Sequence, residues 1–418
     1  MNDILMLSLV YGPDTVSTAN MMTDIAKGLG EKGHNVTVLT SVPHYNPSDE
    51  VIKNPVMHFS WFKFYSESME DGVRVLRVFM PPKRHKIWAR AFDYLIFQIL
   101  TTWLGLFKVS SPDVVFVTSP PITLGISGIL IALFRSGKFV YDVRELWPDV
   151  PVRMGLFRNA LLIKFVYWLE DFVYSKSASI STIARSFRDT LIVRGVSEDK
   201  LYFTPNFVDI DFIIPSNRVN KFSVTHGLDG KFVVLYAGNV GLTQGLEILI
   251  DVARYFESNN EVQFVIVGDG AAHAQLENVI VESEVNNLTM LPFQSTELVN
   301  DMYATSSICI VPLRKGFSYD TVPSKIYTSM AAGRPVVASA EEDSETAFLL
   351  NESDAGISVE PENPSALINA ICEYYQNRDS ILVSGENGRR WIEQYYSKSV
   401  VIDAVSYTHL TLPTIYSV

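Results

Sequence analysis

The sequence predicts an α/β protein made of two Rossmann-like, doubly wound domains. Short apolar runs typical of buried strands alternate with helical patterns along all 418 residues, which is the signature of parallel sheets built from βαβ units. The alternation restarts near Pro205, so the chain divides at about its middle. Apolar residues make up 47% of the chain and charged residues 19%, which suffices for two cores and excludes a disordered protein.

The apolar runs predict strands in both domains. In the first domain, residues 1–205, the predicted strands cover 4–10, 35–40, 73–79, 114–118, 139–143, 179–183 and 201–204. In the second domain, residues 206–385, they cover 232–237, 263–267, 307–312 and 335–339. Doubly wound domains bind ligands beyond the carboxyl ends of their strands, so functional motifs are expected there, facing a cleft between the domains.

The charge distribution excludes a general nucleic-acid binder. Residues 1–200 hold 22 basic against 19 acidic residues, a sum of +3, and residues 201–418 hold 12 against 27, a sum of −15, which together give the net charge of −12. Phosphate neutralisation needs clustered Lys and Arg, and the chain has no long basic run. Two cysteines are too few for a disulfide framework or a zinc site, and the start of the chain does not resemble a signal peptide. A cytoplasmic protein without a metal is expected.

Two helical stretches have the composition of membrane-interface helices. Residues 84–108 begin with a basic cluster and continue with an uncharged, aromatic run, and residues 153–176 have a similar character. A basic, aromatic helix can lie among anionic headgroups, or it can pack on the core like any amphipathic helix. Both interpretations stay open for 84–108, whereas a core-facing helix is favoured for 153–176.

Two glycine-rich turns follow predicted strands of the second domain. The first contains Gly238, Asn239, Gly241 and Gln244, and the second begins at Gly268. Glycines let backbone N–H groups approach an anion. The spacing differs from the dinucleotide fingerprint, and a tight structural turn explains the first motif nearly as well as an anion site does.

A further segment carries a lysine at the predicted start of a helix. Pro323 suits the first helical turn, Gly333 the position after the last, and Pro335 the start of the next strand. The helix would present its amino end, with Ser324 and Lys325, to an anionic ligand at a strand end. A diphosphate leaving group, on which negative charge grows in the transition state, fits such a place.

Four separated motifs together resemble those of family-4 retaining glycosyltransferases over about residues 1–400. They are Asp142-Val-Arg-Glu-Leu-Trp-Pro-Asp149, Leu235-Tyr-Ala-Gly-Asn-Val-Gly-Leu-Thr-Gln-Gly245, Val267-Gly-Asp-Gly270, and the run from Val322-Pro-Ser-Lys325 to Met330-Ala-Ala-Gly-Arg-Pro-Val-Val-Ala-Ser339. Within the family, the resemblance is strongest to the bacterial surface-polysaccharide branch of WbuB-like fucosamine transferases. Four motifs in one order are far more specific than any single one.

The resemblance implies a GT-B fold, a nucleotide-sugar donor held mainly by residues 206–385, retention of the anomeric configuration, and no metal or other cofactor. It also implies that a helix over about 386–405 packs back onto the N-terminal, acceptor-side domain. Residues 406–418 change abruptly to a Thr-rich composition and are interpreted as an atypical, non-native tail.

The chain departs from the family pattern at several donor-site positions. The paired glutamates of the family map onto Asp320, which we assign to the donor-sugar hydroxyls as a catalytic residue, and onto Thr328, which offers the ribose only a hydroxyl. Asn239 and Gln244 stand where the wider family carries a basic pair. Lys325 is therefore the first candidate for the positive charge that the diphosphate needs.

Other residues complete the predicted donor site. Gly12 remains from a Gly-rich loop that approaches donor phosphates in the family, and Thr15 replaces part of that loop with a hydroxyl that could bind phosphate or cap the next helix. Arg314 and Lys315 either add charge for the diphosphate or form a solvated loop.

A cluster of charged and aromatic residues follows the predicted strand 139–143. Charged groups at a strand end are costly unless they are paired or used. We assign Arg144, Glu145 and Asp149 to the catalytic centre, and Asp142 and Trp147 to the acceptor side. The alternative is a surface ion pair of Arg144 with Glu145 or Asp149.

These patterns predict a hexosyltransferase-type enzyme that moves a sugar, expected to be an N-acetylated amino sugar, from a UDP-sugar to a lipid-linked saccharide. The enzyme would act in bacterial surface polysaccharide synthesis (O-antigen or capsule), peripherally bound to the inner membrane. Two alternatives remain: a UDP-sugar 2-epimerase of the same fold, and a catalytically inactive, membrane-associated scaffold. An acceptor requirement would exclude the first, and donor binding with turnover the second.

Overall fold

A computed structural model describes residues 1–14, 16–44, 64–81, 87–149, 152, 155, 159–319 and 321–410. Thr15 and Asp320, both predicted site residues, lie outside these ranges. The chain forms two units: Met1–Pro205 together with the residues from Val401 onward, and Asn206–Val400.

The first unit is built on an eight-stranded sheet whose strands are parallel except for one edge strand. The strands are β1 (Asp3–Leu7), β2 (Asn35–Ser41), β3 (Tyr65–Glu70), β4 (Val73–Val78), β5 (Val114–Ser119), β6 (Lys138–Val143), β7 (Ser179–Thr182) and β8 (Leu201–Phe203). Their spatial order is β3-β4-β2-β1-β5-β6-β7-β8, and β3 pairs antiparallel with β4. The inner strands are buried along nearly their whole length, as expected when helices cover a parallel sheet.

Helices connect these strands in sequence. They are α1 (Ser17–Glu31), α2 (Ile87–Phe107), α3 (Leu124–Arg135), α4 (Ala160–Lys176) and α5 (Arg185–Val193), with a short 3₁₀ turn at Glu198–Lys200 and, from the end of the chain, α14 (Lys398–Leu410). Connections between parallel strands are right-handed, and β5, β6 and β7 follow one another across the sheet. The helices α2, α3 and α4 therefore lie side by side on one face of the sheet.

The second unit contains a six-stranded, fully parallel sheet. Its strands are β9 (Phe232–Ala237), β10 (Val262–Val267), β11 (Leu288–Leu291), β12 (Ile308–Pro312), β13 (Val336–Ser339) and β14 (Gly356–Val359). Its helices are α6 (Lys221–Thr225), α7 (Ile248–Tyr255), α8 (His273–Ser283), α9 (Val299–Thr305), α10 (Lys325–Ala331), α11 (Glu345–Ser353), α12 (Pro364–Gln376) and α13 (Arg378–Trp391), with a 3₁₀ turn at Thr296–Leu298 and a π-helical turn at Ile392–Tyr396.

The strand order places the glycine-rich turns at the switch point of the second sheet. The order is β11-β10-β9-β12-β13-β14, so the chain leaves β9 in one direction and returns to the other side of β9 with β12. A crevice opens beyond the carboxyl ends of the strands at such a point. The turns after β9 and β10 both begin there.

Three strands were not predicted, and all three lie at or next to a sheet margin. β3, β11 and β14 are three of the four outermost strands in the two strand orders. Edge strands are partly exposed, as the mixed burial of β3 and β14 shows, so they lack the continuous apolar run by which buried strands are recognised.

The end of the chain differs from the expected helix over 386–405. Residues 386–400 stay with the second unit, where Arg389 of α13 donates hydrogen bonds to the backbone oxygens of Ile213 and Ala331. The part of α14 from Val401 onward belongs to the first unit, where Ile402 packs against Gly28 of α1. Residues 406–410 continue α14, and 411–418 lie outside the described residues. The interpretation of 406–418 as an atypical, non-native tail stays a prediction.

Candidate active site

The turns after β9 and β10 touch through two glycines. Gly238 has a φ of 138° and Gly268 a φ of 152°, both in a region that L side chains avoid. A Cβ atom on Gly268 would collide with the carbonyl oxygen of Gly238. Glycine at these positions therefore allows two strand ends to meet.

Lys325, the first residue of α10, lies against this glycine turn. Its Nζ donates a hydrogen bond of 2.5 Å to the hydroxyl of Tyr236 and sits 3.9 Å from the centre of the Tyr236 ring. A Cβ on Gly238 would come within 3.2 Å of the Lys325 Cε. Burial lowers the pKa of Lys325 to about 7. The amine is therefore held in position as a hydrogen-bond donor, and its protonation state depends on the charge of the ligand beside it.

Tyr236 connects the lysine to the turn. Besides accepting from Lys325, its hydroxyl donates a hydrogen bond of 2.6 Å to the backbone oxygen of Asn239. Burial raises the pKa of the phenol, so the hydroxyl stays protonated. Sequence reasoning missed this residue; the available signal was a single hydroxyl in the otherwise apolar strand β9.

Asn239, Gly241 and Gln244 form the rest of the first turn. A Cβ on Gly241 would lie 2.5 Å from Oε1 of Gln244 and 2.6 Å from Nδ2 of Asn239, so both side chains crowd over this glycine. Among the described residues, Oε1 of Gln244 is buried without a hydrogen-bond partner, which marks a polar position that a ligand donor could satisfy. Asn239 is exposed.

Ser324 and Thr328 flank Lys325 on α10. Ser324 precedes the helix without a side-chain capping bond. Thr328 hydrogen-bonds the hydroxyl of buried Tyr303, whose pKa burial raises. The hydroxyl predicted to meet a ribose is thus already engaged with a neighbour.

Arg314 has a structural role in the second unit. Its Nε donates to the backbone oxygen of Leu242 at 2.8 Å, and its Nη2 pairs with Glu247 at 2.8 Å. These bonds fix the end of β12 to the loop that follows the glycine turn. A pocket of about 420 Å³ adjoins them, lined among others by Gly245, Glu247, Pro312, Leu313, Arg314 and Ser339.

In the first unit, Asp142 lies in the protein interior. It is 0% exposed and accepts hydrogen bonds from Thr118 at 3.1 Å, Ser181 at 2.6 Å and Arg144 at 2.7 Å. The prediction that Asp142 faces the acceptor is therefore wrong, because its carboxylate is enclosed. Asp142 positions the guanidinium of Arg144, which also reaches the Met21 sulfur at 3.1 Å.

Glu145 and Trp147 form a pair in the segment after β6. Burial raises the pKa of the Glu145 carboxyl, and a hydrogen bond with Trp147 partly offsets this effect. A carboxyl with a raised pKa beyond a strand end is a candidate for proton transfer. Its assignment to the catalytic centre stays a prediction.

Asp149 belongs to a separate ion-pair network. It accepts hydrogen bonds from Arg194 and Tyr167, and Arg194 also pairs with Glu170 at 2.6 Å. Arg144 pairs with the buried Asp142 at 2.7 Å. Asp149 therefore fixes α4 and α5 to the segment after β6.

Gly12 lies in the loop after β1. Its N–H donates to Thr23 at 2.9 Å and its carbonyl accepts from Arg77 at 2.5 Å, so the loop is held to α1 and to the neighbouring strand β4. In the described ranges, no group of three or more His, Cys, Asp or Glu side chains could hold a metal ion. The absence of a cofactor stays a prediction.

Comparison with known proteins agrees with this architecture. Residues 18–206 match the family model described as "Glycosyl transferase 4-like domain", and residues 231–377 match "Glycosyl transferases group 1". The chain is a glycosyltransferase of the hexosyltransferase type with the GT-B fold. The two matches fall one in each unit, and the second contains the glycine turns and Lys325.

Similar proteins extend over nearly the whole glycosyltransferase chain. It is 25% identical to the putative colanic acid biosynthesis glycosyl transferase WcaI of Escherichia coli, over 96% of this chain and 97% of the relative. It is 26% identical to the probable glycosyltransferase WbjE of Pseudomonas aeruginosa, over 73% and 77%. The structure of HepE from Anabaena in complex with UDP and glucose superposes with a TM-score of 0.72 at 15% identity, covering 99% and 100% of the chains. The relatives do not identify the WbuB-like branch.

Proposed function

We propose that this glycosyltransferase moves a sugar from a UDP-sugar, with retention of configuration, to a lipid-linked saccharide in the synthesis of a bacterial surface polysaccharide. The polysaccharide role is supported by the relative named for colanic acid biosynthesis and by another named O-antigen chain mannosyltransferase C. UDP as carrier is supported by the HepE complexes with UDP and UDP-glucose. The transferred sugar is proposed to be an N-acetylated amino sugar.

The observation that carries the proposal is the position of Lys325 on the glycine turn. Departure of UDP leaves negative charge on the β-phosphate oxygens, and a preset donor stabilises that charge without reorganising. Lys325 has this character because Tyr236 holds its amine at 2.5 Å.

The transfer reaction needs few further protein groups. In a front-face reaction, the departing UDP oxygen takes the proton of the acceptor hydroxyl on the same side of the sugar ring, so no strong general base is needed and no metal is invoked. Glu145, whose pKa is raised by burial, can orient an acceptor hydroxyl as hydrogen-bond donor or acceptor. Arg144, held by Asp142, supplies a fixed positive charge in the same segment.

Nucleotide binding by matched lysine variants tests the donor site. Thermal unfolding is measured with UDP, GDP, dTDP and ADP for the wild type, Lys325→Met and Lys221→Met; Lys221 is an exposed lysine that also opens a short helix of the second unit. A ligand at 100 times its Kd stabilises by about 2.7 kcal/mol. UDP is expected to raise the Tm of the wild type and of Lys221→Met but not of Lys325→Met. Equal shifts in both variants would refute the assignment.

Turnover then separates transfer from epimerisation. UDP release is followed with a panel of UDP-N-acetylhexosamines, with and without a lipid-linked saccharide extract. Transfer predicts UDP release that requires the acceptor and a product with the anomeric configuration of the donor. Sugar isomerisation without an acceptor would favour the epimerase, and tight UDP binding without any turnover would favour the scaffold.

A further inference from the structure

The first unit carries a continuous apolar surface on three neighbouring helices, which we call the three-helix surface. The middle helix, α3, packs between α2 and α4, and all three cover the same face of the sheet. Each helix buries one side against the sheet and leaves large apolar side chains on the other. Within the described ranges, no helix is long and apolar enough to cross a membrane.

The exposed residues of α2 follow a helical period. They form one stripe, Phe92, Leu95, Ile96, Ile99, Trp103 and Phe107. The spacing of three, four and seven residues places them along one side of the helix. The stripe runs the whole length of the described part of α2.

The two neighbouring helices continue this surface. Leu130, Leu133 and Phe134 are exposed on α3. On α4 the exposed apolar residues are Leu161, Leu162, Phe165 and Trp168, and the rings of Phe165, Trp168 and Phe172 stack in succession along the helix. Residues 153–176 were expected to face the core. Glu170, Val173 and Tyr174 of α4 do so, whereas Leu161 is 80% and Trp168 57% exposed.

The extent of this surface exceeds what an isolated protein normally exposes. Taking about 200 Å² for each large side chain, it leaves more than about 1,000 Å² of apolar area in water, whereas the largest patch of a monomer is roughly 300–600 Å². Exposed residues scattered singly need no explanation. A surface of this size predicts an occupant.

The charges around the surface favour an anionic lipid headgroup layer as the occupant. Among the described side chains of these helices, Lys164 and Lys176 are exposed, Lys108 follows α2 directly, and Asp171 is the exposed carboxylate. Lysine stems can lie along apolar side chains while their amines reach phosphate groups. A symmetric dimer through the same surface would bring like charges together, which disfavours a second copy as the occupant.

We infer that the three-helix surface inserts its Trp, Phe and Leu side chains into the interface of an anionic bilayer, with α2, α3 and α4 lying parallel to the membrane plane. The inference rests on the proposed function, because a lipid-linked acceptor is found at a membrane. Helices of βαβ units begin at the carboxyl edge of the sheet, so Leu161 at the start of α4 lies near the segment that contains Glu145. An acceptor lipid could thus remain in the bilayer while its saccharide meets that segment.

Vesicle binding by surface variants tests this inference. Flotation is measured with vesicles of phosphatidylcholine alone or mixed with phosphatidylglycerol, for the wild type, Leu161→Gln/Phe165→Gln and Leu133→Gln/Phe134→Gln. The control is Val281→Gln/Leu382→Gln, which changes two exposed apolar residues of the second unit. We expect binding that needs phosphatidylglycerol, weakens in high salt, and falls at least about tenfold in each surface variant but not in the control.

Two readouts make the result decisive. Lipids brominated near the headgroup should quench tryptophan fluorescence in the wild type and less so in Trp168→Phe. UDP affinity in solution should be equal in all variants, which separates this inference from the donor-site proposal. Equal vesicle binding in all variants, no binding at all, or a lipid-free dimer that the surface variants dissociate would each overturn it.

Discussion

At the scale of single residues, the Tyr236 hydroxyl controls two neighbours at once. It accepts a hydrogen bond from Lys325 and donates one to the Asn239 backbone. Removing only the oxygen leaves the packing of the ring intact, so Tyr236→Phe separates positioning from folding.

We expect Tyr236→Phe to weaken UDP binding by about five- to tenfold, since one hydrogen bond contributes roughly 1–1.5 kcal/mol. Isothermal titration calorimetry measures the affinity, and thermal unfolding without ligand serves as the folding control. An unchanged Kd would mean that Lys325 needs no support from the phenol.

The lowered pKa of Lys325 predicts proton uptake on nucleotide binding. Burial brings this pKa to about 7, so above pH 7 most molecules without ligand hold a neutral amine. A diphosphate favours the ammonium form and raises the pKa, so UDP binding takes up most of a proton near pH 8 and weakens as the pH rises further. Calorimetry in buffers of different ionisation enthalpy measures this uptake, which Lys325→Met should abolish.

The residues of the candidate site differ in how well the sequence predicts their roles. Lys325 was found because a charge at the start of a helix beyond a strand is visible along the chain. The enclosure of Asp142 was not predicted, because Thr118 and Ser181 lie beside it only through the register of β5, β6 and β7. Tyr236 was missed because a tyrosine in a strand resembles any other core aromatic.

At the scale of elements, the inner strands were predictable and three of the four outermost strands were not. A strand buried on both faces reads as an apolar run, as β9 does with six buried residues in succession. The three strands at the sheet margins depend on pairing with a neighbour that the sequence does not specify. For α4, the run of apolar residues indicated a helix but not which side would remain exposed.

The docking of α14 on α1 gives a prediction for this pair of helices. A Cβ on Gly28 would lie 2.5 Å from Cδ1 and 2.9 Å from Cγ2 of Ile402. Overpacking of this kind costs about 1–3 kcal/mol, so Gly28→Ala should lower the free energy of unfolding. Ile402→Ala makes a cavity and costs about 2–4 kcal/mol alone.

The double variant tests whether Gly28 and Ile402 are in direct contact. If the two residues pack as described, Gly28→Ala/Ile402→Ala should be more stable than the sum of the single effects by at least about 0.5 kcal/mol. Chemical denaturation of the four proteins measures this coupling. Strict additivity would indicate that α14 does not rest on Gly28.

At the scale of the whole molecule, the two proposed ligands belong to different units. The nucleotide is assigned to the turns and α10 of the unit spanning Asn206–Val400, and the bilayer to helices of the unit containing Met1–Pro205. The charge sums of +3 for residues 1–200 and −15 for residues 201–418 agree with an anionic membrane next to the first unit.

Hydrogen exchange should resolve this division. UDP is expected to slow exchange in peptides that cover the ends of β9 and β10 and the start of α10, with little change in α2, α3 and α4. Anionic vesicles should protect the peptides of those three helices and leave the glycine turns as they were. Protection of the three helices by UDP alone would contradict the assignment of the two ligands to separate surfaces.

The return of α14 to the first unit has a consequence for how the protein is made. Residues 206–400 leave the ribosome before Ile402 can meet Gly28, a contact that closes a loop containing the entire second unit. Loop closure over such a length favours late formation of the contact. The unit that is synthesised first is therefore the last to be completed. Its α1 surface stays uncovered by α14 while the second unit folds.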